Sequence, residues 1–173
     1  RSSGGSKTRI VFHIPSRGLV GYQSELRNDT KGTGILSRIF HSYEQHKGPI
    51  EGRHNGVLIS NCDGETTAYA LWNLEDRGAL FVGPKTKVYE GMIIGEHNRD
   101  NDLDVNPVKG KKLTNMRASG TDENIFLTPP RMMTLEEVMS YINDDELVEV
   151  TPKSIRLRKA KLSPHERKRK IAE

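Results

Sequence analysis

Apolar and polar side chains alternate at the start of the chain. In TRIVFHI (8–14), Ile10, Phe12 and Ile14 share one face of an expected strand, and Val11 adds apolar surface to the other. Pro15 ends this run. Ser16 is placed to cap a helix over 17–29, where Leu19, Tyr22, Gln23 and Leu26 recur at helical spacing. Thr30-Lys31-Gly32 closes that helix, and TGILSRIFHSY (33–43) reads as a long strand, so the segment is β-α-β. The polar, Gly- and Pro-containing stretch 44–54 suits a connection, which divides the chain into an expected domain over 1–46 and another over 47–173.

Beyond it the pattern is mainly β. NGVLIS (55–60) and ETTAYALW (65–72) flank Asp63-Gly64 and predict a hairpin. ALFV (79–82), KVYEGMIIGEHN (87–98, with Gly91 and Gly95 as bends or bulges), LDV (103–105) and NIFLT (124–128) follow as strands. Thr134 and Glu137 have the spacing of a capping box, opening a helix whose apolar face is Leu135, Val138, Met139 and Ile142. ELVEVTPKSIRLRK reads as a strand pair turning at 151–154, with Arg156 and Arg158 on one face opposite Ile155 and Leu157. Ser163, Pro164 and Glu166 take Ncap, N1 and N3 of a last basic helical turn.

The hydrophobic fraction of 34% and the single Trp describe a modest core. No run approaches the roughly 18 apolar residues that cross a bilayer, and RSSGGSKTRI carries no signal-peptide core, so no membrane is expected as partner. One cysteine, Cys62, forms neither an internal disulfide nor a paired-cysteine metal site, which suits a cytoplasmic location. Charge is segregated beneath a net +4: 134–150 holds six acids and no Lys or Arg, whereas 151–173 holds nine Lys/Arg against two Glu. Such a basic end suits nucleic acid or a solvated tail.

Catalytic and metal motifs fail on inspection. GGSKT (4–8) lacks the first glycine and preceding strand of a phosphate loop, and Ser6 replaces the glycine before Lys7. DNDLD (100–104) has Val105 where a calcium loop needs Gly and Lys111 where it needs Glu. His41, His46 and His54 match no zinc spacing and read as surface histidines. Cys62 would be a nucleophile only with a histidine packed against it.

GKKLTNMRASGTDE (110–123) is different. Between expected strands it lies in a loop of about eighteen residues, Pro107 to Asn124, beyond the roughly 12–15 that compact domains ordinarily tolerate. Lys109, Lys111, Lys112 and Arg117 can neutralise phosphates, and Thr114, Asn115, Ser119 and Thr121 can bond sugars and base edges. The loop has no aromatic residue, which favours backbone and shape readout of folded RNA over base stacking. Composition alone leaves open RNA binding, a solvated loop, or contact with an acidic protein. Arg156, Arg158 and the run Arg167, Lys168, Arg169, Lys170 are further candidate RNA contacts.

RIVFHIPSRGLVGYQSELRNDTKGTGILSRIFHSY resembles the second half of domain V of the TypA/BipA family, ribosome-binding translational GTPases related to elongation factor G. NGVLISN, EDRG, VYEGMIIGEHNRDNDL, GKKLTNMRASGTDE and DDELVEVTPKSIRLRK resemble that family's own C-terminal domain. The resemblance implies an α+β chain: half of a ferredoxin-like βαββαβ domain, then a mainly β domain with one clear helix and the long basic loop. It implies no cofactor in this chain; GTP and Mg would belong to the parent's GTPase domain. The expected partner is the 70S ribosome, with ribosomal RNA near residues 8–43 and the acceptor end of A-site tRNA at the loop, through Lys111, Lys112, Asn115, Arg117 and Ser119. The alternative is a protein-interaction module using the acidic and basic segments. Half of a ferredoxin-like fold leaves apolar faces and an edge unpaired, so residues 1–43 are expected to be partly disordered, rearranged, or completed by another chain.

Overall fold

The computed structural model describes residues 7–49, 52–110 and 125–169. The chain forms two compact units, Arg1–Glu51 and Gly52–Glu173. Helices, a mixed sheet and a small two-stranded sheet make it an α+β protein. None of its described helices is long and apolar enough to cross a membrane.

In the first unit the expected helix splits. A 3-10 turn occupies Ser16–Leu19, with Pro15 rather than Ser16 at its N-cap, and α1 is Tyr22–Asp29. Val20 is extended, and Gly21 stands at φ 78°, in the left-handed region open to glycine, so the chain turns there before re-entering a helix. The C-terminal stop is as expected. Lys31 N–H donates to the Asn28 carbonyl and Gly32 N–H to the Arg27 carbonyl, with Lys31 left-handed at φ 51°: a Schellman closure. Residues 9–14 and 33–43, expected as strands, belong to no regular element, and Thr8 makes only an isolated bridge. A strand needs a neighbour whose backbone takes up its N–H and C=O groups, and no described residue forms a ladder with these, although the His13 and His41 rings meet. Phe12 is 76% exposed and Ile35 88%.

The second unit is a sheet covered on both faces. Its order is β6-β1-β5-β8-β7, from β1 (Val57–Ser60), β5 (Met92–His97), β6 (Leu103–Val105), β7 (Glu146–Val150) and β8 (Ile155–Lys159). β3 (Gly78–Leu80) pairs with the end of β5 that β8 leaves free. β1 and β6 run parallel; the other pairs of this sheet are antiparallel. Alternation sends Leu58, Met92 and Ile94 to one face, against Leu71 and Leu74 of α2 (Ala68–Leu74). Val57, Ile59 and Ile93 go to the other, against Val138 of α3 (Leu135–Tyr141). β1 pairs Leu58 with Gly95 and then Ile59 with Ile93, a bulge beside one expected glycine. Gly91, the other, bends the chain at φ 88°, where a Cβ would sit 2.7 Å from the Leu162 backbone.

Three other expectations change. ETTAYALW contributes only Glu65 to a strand, β2 (Gly64–Glu65), which pairs with β4 (Lys87–Val88); Thr66 and Thr67 lead into α2, which takes the remainder. Thr67 caps that helix by accepting from Ala70 N–H, so the predicted hairpin with β1 does not form. Residues 125–128 are irregular, held at single points instead of along a ladder. The capping box at Thr134 is present, but the helix turns Val138, Tyr141 and Ile142 inward and leaves Leu135 and Met139 exposed. The β7–β8 hairpin and the start of α4 (Pro164–Arg169) at Pro164 stand as expected.

Candidate functional site

Both stems of the long basic loop are fastened to one helix. On the entering side, Thr67 N–H donates to the Pro107 carbonyl at 3.1 Å and Thr67 Oγ1 to the Lys109 carbonyl at 2.9 Å. Pro107 is fully buried, and Val108 packs on the core beneath α2. On the leaving side, Thr128 N–H donates to Glu75 Oε1 at 2.6 Å, just past the end of α2, and Arg131 N–H to the Leu80 carbonyl at 2.8 Å. Leu127 packs against the same core cluster. The N-cap residue and the C-terminal end of α2 thus each hold one stem.

Lys109 is exposed at the entering stem. Lys111, Lys112, Thr114, Asn115, Arg117, Ser119 and Thr121 lie outside the described residues, as do Lys170 and most of the GGSKT stretch. The remaining candidates stand on β8 and α4. Arg156 and Arg158 share a face of β8. Arg158 Nε lies 2.8 Å from Glu149 Oε1 without hydrogen-bond alignment, an ion pair within the hairpin. Arg156 lines an open groove of about 460 Å³ with Arg131 and Lys153. Arg167 is held by Asp104 and by the Lys161 and Leu162 carbonyls, leaving Lys168 and Arg169 as exposed cations on α4.

Periodicity alone did not identify a buried ionic group. Lys159 Nζ lies 2.6 Å from Asp102 Oδ2, 2.9 Å from Asp145 Oδ2 and 3.0 Å from Glu146 Oε1, and its side chain is 2% exposed. Arg53 forks onto Glu146 at 2.7 and 3.0 Å and lies 4.5 Å over the Tyr141 ring. Burial pushes the Glu146 carboxyl up, but hydrogen bonds from Arg53, the Asn143 amide and Lys159 outweigh it and hold the group below its ordinary range. Burial lowers and the carboxylates raise Lys159, with the net direction upward. The signal was present: Lys159 continues the inward-facing register of Leu157. Through these contacts Asp145, Glu146 and Glu149, three of the six acids of 134–150, pair with cations of the same unit.

The motifs set aside have ordinary structural uses. Asp102 accepts from Val57 N–H at 2.9 Å, and Asp104 holds Arg167. Cys62 Sγ faces Asn106 Oδ1 at 3.5 Å. His41 packs edge-on to His13, His46 Nδ1 accepts from Gly48 N–H, and His54 is exposed. No group of three metal-ligating side chains occurs among the described residues.

Comparison with known proteins assigns the two parts. Residues 55–164 match the TypA/BipA C-terminal domain, and residues 1–53 match the elongation factor G C-terminus. The chain is 54% identical over 167 residues to the large ribosomal subunit assembly factor BipA of Escherichia coli K12, covering 96% of this chain and 28% of that protein. It is 56% identical over 164 residues to that of Buchnera aphidicola subsp. Schizaphis graminum, covering 94% and 27%. With that of Bacillus subtilis 168 it shares 48% over 169 residues, covering 97% and 28%. It therefore spans little more than a quarter of the length of these relatives. On the match of its greater part to the family's own C-terminal domain, and on this identity across nearly its whole length, the chain belongs to the TypA/BipA family.

Proposed function

We propose that this chain is the ribosome- and tRNA-contacting C-terminal region of a cytoplasmic TypA/BipA translational GTPase acting in translation or ribosome assembly under stress. The observation that carries the reading is the fastening of both stems of the basic loop to the ends of α2. The two stems, rooted on a covered sheet, fix where the cation-bearing segment leaves and rejoins the domain, which suits recognition of a folded RNA surface. The relatives' description as assembly factors of the large ribosomal subunit supports the same class of partner. Residues 1–46 serve as the domain V-like part and 47–173 as the family-specific domain. Unpaired apolar segments in the first unit fit completion by another chain or by preceding sequence of the parent. GTP and Mg would be bound by the parent's GTPase domain, and no reaction is assigned to this chain.

Lys111, Lys112 and Arg117 carry the loop's phosphate contacts, with Lys109, Thr114, Asn115, Ser119 and Thr121 beside them; Arg156, Lys168, Arg169 and Lys170 supply peripheral charge. Binding to 70S ribosomes should weaken as salt rises, through loss of counterion release. Replacing Lys111, Lys112 and Arg117 together by Ala should lower ribosome and tRNA binding and leave the thermal midpoint nearly unchanged. Unaltered binding by the folded triple variant would remove the loop from the reading. Binding that survives ribonuclease would point to a protein partner.

A further inference from the structure

β3 and β8 pair with successive stretches of β5, and between them the sheet opens. β3 meets Gly95–His97, whereas β8 reaches β5 only through Leu157 and Arg158, opposite Ile93 and Met92. Ile155 and Arg156, at the start of β8, therefore overhang on that side. The open groove of about 460 Å³ lies in this gap, within the range of roughly 300–1,000 Å³ typical of binding clefts. Buried Ile93 and Leu157 and half-buried Phe81 make its floor, while Met132 and Val150, 82% and 61% exposed, stand at its rim. Backbone groups open there too. Thr151 N–H donates to the Ser154 carbonyl, so by the alternation of an antiparallel ladder the next pair, Val150 and Ile155, turns its N–H and C=O groups outward. Those of Ile155 face the side of β5, where no described residue takes them up.

Three cations line the groove, Arg131, Lys153 and Arg156, and no carboxylate does. Arg131 is shared with Glu96 at 3.5 Å, but Lys153 and Arg156 form no ion pair among the described residues. Glu149, opposite Arg156 across the hairpin, is engaged by Arg158 and by the Tyr89 hydroxyl, at 2.8 and 2.7 Å. Thr151 and Ser154 bond one another across the turn. The groove thus combines an apolar floor, unneutralised positive charge and a free length of strand edge. RNA would match the charge but not the aliphatic floor, and a base needs an open aromatic face, whereas Phe81 packs edge-on to Tyr141 at 5.5 Å. We propose that this groove docks an extended, acidic and apolar segment of a partner protein. The segment adds to the edge of β8 at Ile155, sets apolar side chains on the floor and places carboxylates on Lys153 and Arg156. The methionine at the rim adapts to side chains of different shape. This site goes beyond the RNA reading of the loop and gives Arg156 a protein partner.

The test probes the full chain with arrayed short peptides in three sets. In one, apolar residues alternate with Asp or Glu; in another, apolar residues alternate with Lys or Arg; in the last, Ser alternates with Asp or Glu. Members of the acidic–apolar set should bind and the other two sets should not, and binding should fall as salt rises. Lys153→Glu with Arg156→Glu should weaken the acidic–apolar peptides about tenfold or more, because like charges then face one another. The same variant should gain binding to the basic–apolar set, a reversal that loss of folding would not produce. If the double variant does not fold, Lys153→Glu alone, in an exposed turn, makes the same comparison. A bound peptide should also slow amide exchange at Ile155. Absence of binding by the acidic–apolar set overturns the proposal. So does binding that survives charge reversal, or that is lost only when Lys111, Lys112 and Arg117 become Ala, which would assign the peptides to the loop. Protection of Ile155 by unpaired RNA and by no peptide would assign the groove to RNA and overturn it as well.

Discussion

Glu146 decides how the acidic and basic ends of the sequence use one another. Its side chain is wholly buried, and it bonds both Arg53 and Lys159. Replacing one partner of such a group leaves charge uncompensated in a low-dielectric setting, which costs about 3–5 kcal/mol. Glu146→Gln should therefore lower unfolding free energy by about that amount, measured by urea denaturation at neutral pH. The pH dependence follows from the two directions of shift. Glu146 is held below its ordinary value of 4.5, so its contribution is present above that pH and fades as acid carries the solution through its folded value. Lys159 is raised above its ordinary 10.5, so its contribution is complete below that pH and fades as alkali passes its folded value. Thermal midpoints measured across pH should show a plateau between these limits; Glu146→Gln, which removes a carboxylate that acid would protonate, should lower that plateau and flatten its acid limb. An unchanged acid limb in the variant would show that other carboxylates control it. Composition displayed the opposite charges but not their pairing, because Arg53 lies 93 residues from Glu146 in sequence.

α2 is the element that the hydrophobic pattern missed and on which the candidate site depends. ETTAYALW satisfies strand criteria through its β-branched and aromatic residues, but Thr67 followed by Ala68, Tyr69, Ala70 and Leu71 is also a cap with helix formers behind it. The helix prevails because Leu71 and Leu74 bury against Leu58 and Ile94 while the Thr67 side chain satisfies an end amide. Local periodicity could not weigh that tertiary contact. By contrast, the capping box of α3 and the β7–β8 hairpin were legible because short-range hydrogen bonds and a strict two-residue period specify them. The loop was legible as an overlong cationic segment; its attachment was not, since both anchors lie more than 40 residues away in sequence. Thr67→Ala removes the helix cap and the bond to the Lys109 carbonyl. It should cost roughly 1–2 kcal/mol and accelerate amide exchange at the N-terminal turn of α2, whereas Thr67→Ser should retain most of both. Equal exchange in the two variants would deny the Thr67 hydroxyl this anchoring role.

At the scale of the molecule, the two units differ in how completely they bury apolar surface. The unit Gly52–Glu173 has clusters on both faces of its sheet. In Arg1–Glu51, Ile10, Phe12, Ile35, Ile39, Phe40 and Tyr43 are all more than two-thirds exposed. At about 25 cal/mol per Å² of apolar area, covering several such side chains is a substantial driving force for any chain that pairs with them. The match of this region to the elongation factor G C-terminus identifies the kind of domain to which these segments belong. Its other half would supply neighbours for their backbone groups and an apolar face for their side chains. The chain should therefore bind a hydrophobic dye and associate as concentration rises, read by dye emission and light scattering. The piece 52–173 should do neither and should keep the cooperative melting of the whole chain. Adding the complementary half of domain V from a relative should reduce dye binding and protect amides in 8–14 and 33–43 from exchange. Ordered, protected segments in the chain by itself, without dye binding or association, would mean that this region completes its own fold and that the exposed rings have another use.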